Sequence, residues 1–192
     1  MTIRFSGAVA IIAFCFGTSM PAATLDFTGA QNGHQTPYVE DGLSFDIARI
    51  VSGNCGIAKG CAALNDNEVS VLTKVGGGTF SLTNFWYELL GKGSGGKKPT
   101  TNTLNVMSNL GGLLSFAADV VGHNDGGHVA DLTMLPLFQN VTSLTFSTTN
   151  GGNVRLDDFG LSIPSTVPLP ATAWMLFTGI AALAGIRRRK VV

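Results

Sequence analysis

The chain has 192 residues, 45% of them hydrophobic, with 12 acidic side chains balanced by 12 basic ones. All 12 acids lie between Asp26 and Asp158 but only seven of the bases do, so this middle region carries a net charge of −5, which excludes nucleic acid as a partner because that needs a basic face. Residues 24–164 suffice for one hydrophobic core and not for two.

Residues 1–23 open on a short polar start with Arg4, continue as an apolar run from Ala8 to Phe16, and end in the small residues Ala22 and Ala23. That order predicts a secretory signal peptide cut near Ala23. Beyond it the chain is written in period two. Leu43, Phe45 and Ile47 alternate with Ser44, Asp46 and Ala48, as in a strand with one face buried. Cys55 and Cys61 follow, an even pair close in sequence and flanked by glycines. In an exported chain this predicts a local disulfide, worth roughly 2 kcal/mol in the chain-entropy model.

The same alternation sets Val69, Val71 and Thr73 against Ser70 and Leu72, and Phe80 and Leu82 against Ser81 and Thr83. Asn84 to Leu90 has room for a helical turn or two, and residues 91–101, with Lys92, Lys97, Lys98 and Pro99, read as a loop. Leu104, Val106 and Ser108, then Leu144 and Phe146, then Val154 and Leu156 predict further strands. Glycine-rich breaks at 76–78, 109–112, 124–127 and 150–152 supply the turns between them. The fold class is therefore all-β: a jelly-roll-like β-sandwich over residues 24–164, flanked by an N-terminal signal-peptide helix and a C-terminal transmembrane helix.

Chemistry-bearing residues are few. His123 and His128 stand five apart with Asp131 close by, a set that could bind zinc or serve a small polysaccharide hydrolase as its base. The intervening Asn124-Asp125-Gly126-Gly127 reads instead as a hairpin turn, with the two histidines as an exposed cross-strand pair. No nucleophile elbow and no phosphate loop is present, and nothing singles out Glu40 and Glu88 as a glycosidase pair. No catalytic residue is assigned, and a binding or structural role is expected. Trp86 and Tyr87 are available to stack on a sugar ring, or to fill the core.

Tyr38-Val39-Glu40-Asp41-Gly42 near the start and Arg155-Leu156-Asp157-Asp158-Phe159 near the end resemble exported bacterial β-sandwiches related to carbohydrate-binding modules. In those domains the first and last strands are neighbours, and acids there hold a structural calcium. The resemblance implies Glu40, Asp41, Asp157 and Asp158 as oxygen ligands for calcium. The alternative is a set of solvated turn acids with Arg155 beside one of them.

The tail is the most specific segment. Val167-Pro168-Leu169-Pro170-Ala171 is followed by an uncharged stretch over 171–186 and by Arg187, Arg188, Arg189 and Lys190. Residues 171–186 span about 24 Å as a helix, a marginal crossing of a core about 30 Å thick. The block of cations behind it places the C-terminus in the cytoplasm. Motif, helix and basic end over residues 165–192 resemble the PEP-CTERM sorting signal in its VPLPA-CTERM form. Leu169 stands where the commonest form has glutamate. The resemblance implies a Gram-negative bacterium that makes exopolysaccharide, a membrane-bound exosortase that cuts near the proline motif, and delivery to the cell surface or the extracellular matrix. Exopolysaccharide is then the expected partner of the sandwich.

Overall fold

A computed structural model of the chain describes residues 22–30, 32–34, 37–46, 49–52, 55, 60–65, 67–91, 100–121, 125–149 and 152–163. The signal peptide up to residue 21, His123, the Val167–Ala171 motif, the stretch 171–186 and the cations Arg187 to Lys190 lie outside these residues. Among the described residues no helix is long and apolar enough to cross a membrane.

The described elements are β1 (Ala22–Leu25), β2 (Gly33–His34), β3 (Tyr38–Glu40), β4 (Leu43–Asp46), β5 (Arg49–Val51), β6 (Cys61–Leu64), β7 (Val69–Lys74), β8 (Ser81–Leu90), β9 (Thr100–Ser108), β10 (Leu113–Val120), β11 (His128–Asp131), a 3-10 turn (Pro136–Phe138), β12 (Ser143–Thr149) and β13 (Asn153–Ser162). They form two antiparallel sheets. One has seven strands in the order β11-β8-β13-β6-β5-β2, with β1 added alongside β13; the other has six in the order β10-β9-β12-β7-β4-β3. β1 pairs Ala22 with Ser162 and Leu25 with Phe159, so a cut after Ala23 leaves Thr24 and Leu25 to hold this edge of the sheet.

Alternation along the strands closes the sandwich. Leu43 and Phe45 of β4, Leu72 of β7, Leu104 and Val106 of β9, and Leu144 and Phe146 of β12 point inward from the six-stranded sheet. Phe85 and Leu89 of β8 and Val154, Leu156 and Phe159 of β13 meet them from the seven-stranded sheet. Phe45, Phe85, Phe146 and Phe159 form the centre of the core. Phe146 lies edge-on to Phe45 at 5.7 Å, to Phe85 at 5.8 Å and to Phe159 at 5.5 Å, the offset geometry that aromatic quadrupoles favour. Truncating any of these rings to alanine is expected to cost about 3–5 kcal/mol.

Three local expectations change. In β7 the buried face carries Ser70 and Leu72, while Val69 is 53% exposed. Leu72 sits between Leu144 and Phe45 in the register, and that fixes the strand's phase against its valines. Asn84–Leu90 is strand, not helix, because β8 runs between β11 and β13 and alternates Phe85, Tyr87 and Leu89 inward. The strands on either side of residues 124–127 do not pair as the hairpin reading requires: β10 belongs to the six-stranded sheet and β11 to the seven-stranded one.

β13 exchanges partners along its length. Val154–Leu156 pair with β6 and Phe159–Ser162 with β1. At the exchange the register against β8 shifts beyond Asp157, and Asp158 takes a φ of 46°. Such a bulge turns two consecutive acidic side chains out of the regular alternation.

Candidate functional site

The outer face of the seven-stranded sheet carries polar side chains in rows set by strand register. Arg49, Ala63, Arg155 and Glu88 follow one another across β5, β6, β13 and β8. In the next row Asp157 stands opposite Trp86, and Trp86 opposite Val129 of β11. Positions 86 and 88 share a face of β8, so the indole and the carboxylate are neighbours on it. Gly127 backs the indole, with a built Cβ only 2.6 Å from Trp86 Cζ2.

Glu88 Oε2 and Arg155 Nε, paired across β8 and β13, are both buried without a hydrogen-bond partner. Glu88 is 6% exposed, and Trp86 and Arg155 are half-buried. Burial, then the charge of Asp125, raises the Glu88 carboxyl above its ordinary value, against the pull of Arg155. Burial, then the proximity of Arg49, lowers the Arg155 guanidinium from its ordinary value. Glu88 and Arg155 thus set an acceptor and a donor on one face of the β8–β13 pair, each with one polar atom covered by its neighbours. The half-buried indole beside them offers a stacking surface.

Asp125 braces the rim. Its Oδ1 accepts from the Leu89 amide at 3.0 Å, its own amide donates to the Leu89 carbonyl at 3.1 Å, and its Oδ2 lies 3.0 Å from His128 Nε2. His128 therefore engages Asp125 and not Asp131. His128 and Asp131, three apart on β11, leave opposite faces of the strand. Asp131 Oδ1 instead accepts from the Thr133 amide at 2.9 Å, which lowers its pKa. Tyr87 also parts from Trp86. It turns inward, 4.7 Å from Phe116 and 5.4 Å from His128 between ring centroids, so the two aromatics cannot stack on one sugar.

The four acids foreseen for calcium separate into three and one. Glu40, Asp157 and Asp158 come to one corner, where the charge of Asp26 bears on all three. Asp41 is exposed in the turn between β3 and β4. Glu40 Oε2 accepts the amides of Asp26 and Phe27, each at 3.1 Å, while burial raises its pKa. Asp157 is fully buried with Oδ2 unpartnered, and burial together with the surrounding acids pushes its pKa up to about 7. Among the described residues no three His, Cys, Asp or Glu side chains are grouped to hold a metal ion, so these carboxylates alone do not make a calcium shell. Cys55 and Cys61 form a disulfide, with Cα atoms 5.6 Å apart.

Glu88, Arg155 and Asp125 were not apparent as a group in the sequence. The one usable signal was a lone charge inside the otherwise apolar run Phe85-Trp86-Tyr87-Glu88-Leu89-Leu90.

No family model matches the chain, and no curated protein matches it. Among solved structures it is similar to TmCBM61 in complex with beta-1,4-galactotriose, at 9% identity and TM-score 0.31 over 77% of this chain and 90% of that one. It is also similar to the K3 cleaved adhesin domain of Lys-gingipain from Porphyromonas gingivalis, at 12% identity and TM-score 0.38 over 77% and 96%. A third is the CBM22-1 xylan-binding domain of Paenibacillus barcinonensis Xyn10C, at 12% identity and TM-score 0.35 over 75% and 95%.

Proposed function

We propose that the chain is an exported cell-surface protein whose β-sandwich binds polysaccharide, in the first instance exopolysaccharide of the extracellular matrix, through the outer face of the seven-stranded sheet. The observation that carries the binding reading is the half-buried indole of Trp86 on the outer face of the sheet, with Glu88 and half-buried Arg155 beside it. The reading is binding and not turnover: of the hydrolase cluster His123, His128 and Asp131, the two described residues, His128 and Asp131, leave opposite faces of β11. The VPLPA-type tail supports the surface destination, with an exosortase as the processing partner and residues 171–186 as a transient membrane anchor.

Native gels cast with soluble polysaccharides test the binding reading. Retardation of the protein by one of them is expected, and Trp86→Ala should abolish it while leaving the melting curve cooperative. Equal retardation of the variant would remove the site. Intact mass from membrane, surface and medium fractions tests the destination separately. A species lacking the tail should be lost when Pro168 and Pro170 are both replaced by alanine; an unprocessed tail in both strains would reduce the segment to a plain anchor.

A further inference from the structure

Among the described residues the sheet edges are short, with one exception. β2, β3 and β11 have two, three and four residues, and shortness is a common protection against strand pairing with other chains. β10 ends the six-stranded sheet with eight residues, and among the described residues nothing pairs with its outer side. Of the usual safeguards of edge strands it has only a single charge, Asp119. Its sequence Leu113-Leu114-Ser115-Phe116-Ala117-Ala118-Asp119-Val120 has no proline and no lysine, and its register against β9 is unbroken from Leu113 to Val120.

Gly112 gives its carbonyl to the Ser108 amide, so even-numbered positions of β10 address β9 and the odd-numbered ones turn their backbone groups to the open edge. Odd positions are the exposed ones on the outer face: Leu113, Ser115, Ala117 and Asp119, continued by Val121. Even positions Leu114, Phe116 and Ala118 are only half-buried, although they face the core.

We propose that a second copy of this chain pairs antiparallel along β10, about a two-fold axis through Ala117. In that register Leu113, 63% exposed, meets Val121, 66% exposed, and each covers the other. Ser115 falls opposite Asp119, so the acids of the two copies avoid one another. On the core side Phe116 meets Ala118 and Leu114 meets Val120, large against small. Moving the axis to Phe116 would set Leu113 against Asp119 and one phenylalanine ring against its own copy, and moving it to Ala118 would set Ser115 against Val121. The charge of Asp119 and the sizes of the side chains therefore select Ala117. Pairing joins two six-stranded sheets into one continuous sheet and leaves both seven-stranded sheets on the same side. With the polysaccharide site proposed above, two sites would then face one way and bind a long chain with avidity.

The test uses the full chain, purified in detergent with its tail. Sedimentation should give a dimer. Ala117→Lys, which brings two cations together at the axis from an exposed position, should raise the dissociation constant by about tenfold or more. Ala117→Cys should cross-link to itself under mild oxidation, because Cα atoms of a hydrogen-bonded pair lie about 5.5 Å apart, within disulfide reach. Leu113→Cys should not, since its partner is Val121. A wild-type monomer at the highest concentration reached overturns the proposal. So does a dimer in which the cysteine at 117 stays reduced or the cysteine at 113 cross-links equally. If the lysine variant fails to melt cooperatively, the cysteine pair decides alone, because at these exposed positions it adds little bulk and no charge.

Discussion

Gly127 lies flat against the indole of Trp86: a Cβ built on it would fall 2.6 Å from Cζ2 and 2.8 Å from Nε1, and its φ is +74°. Alanine there would both displace the ring and strain the backbone. Gly127→Ala is expected to lower stability by about 1–3 kcal/mol, through a positive φ that only glycine adopts freely and through the clash. It should also weaken polysaccharide retardation, because the indole that stacks on the sugar is the atom group displaced. Chemical unfolding and native gels on the same preparation separate the two effects. A variant that is destabilised but binds as tightly as wild type would show that the indole takes no part in recognition.

Glu88 offers a different separation. Its pKa is raised in the folded protein by burial first and by Asp125 second, so the folded state holds its proton more tightly than the unfolded one. The stability this confers is present at low pH and is lost as pH rises through the folded pKa. Glu88→Gln removes the ionising group. The variant should therefore gain stability over wild type at pH 8 relative to pH 4, as read from melting curves. Binding should move the other way, falling about tenfold, because a carboxylate acceptor for the sugar hydroxyls is replaced by a weaker amide. Unchanged affinity in the glutamine variant would sink the role assigned to the carboxylate.

Asp157 carries the larger titration. With its pKa near 7 in the fold against an ordinary 3.8, its contribution to stability is complete below the ordinary value and declines as pH rises to about 7. Asp157→Asn should flatten that decline and leave the variant more stable than wild type at pH 8. Calcium, expected at this corner from the sequence, would favour the ionised carboxylate. If the ion binds, it should raise the wild-type melting temperature at pH 8 and not at pH 4, and the asparagine variant should lose the effect. No calcium response at either pH would leave the corner as a protonation site alone.

Period-two alternation located β4, β7, β9, β12 and β13 because each has an apolar face against the core. It failed where both faces of a strand are covered. Cys61-Ala62-Ala63-Leu64 is buried at every position and shows no period. β10 was missed because its exposed Leu113 and buried Val120 are alike to a hydropathy pattern. The phase of β7 was unreadable because valine suits a strand on either face, and only the cross-strand neighbours of Leu72 decide it. The glycine breaks were legible as turns, but not which sheet the next strand would join, and so the connection to β11 was misread as a hairpin. The acidic corner was half-legible: Glu40 comes to Asp157 and Asp158, but β3 and β13 lie in different sheets and it is β1 that pairs with β13, while Asp26 joined the corner and Asp41 did not. Glu88 and Arg155 lie 67 positions apart, and their pairing exists only in the register of β8 with β13.

Asn102 holds the two sheets together at one end, and a pair of substitutions can show it. It is fully buried in β9 of the six-stranded sheet, and its Nδ2 donates to the carbonyls of Leu90 at 3.0 Å and Asn153 at 2.7 Å, register partners in the seven-stranded sheet. Asn102→Ala leaves both carbonyls without that donor and opens a small cavity. The expected loss is about 1–3 kcal/mol, the cost of buried polar groups left unsatisfied. Asn102→Asp keeps the shape but points an acceptor at two acceptors. At neutral pH it should be less stable than the alanine variant, since a buried carboxylate would face two carbonyl oxygens with no donor. Acidification restores one donor by protonating the carboxyl, so the aspartate variant should recover against alanine as pH falls toward 4. Urea unfolding at pH 7 and pH 4 for the three proteins measures this directly. An aspartate variant no worse than alanine at pH 7 would show that the amide's two hydrogen bonds do not hold the sheets together.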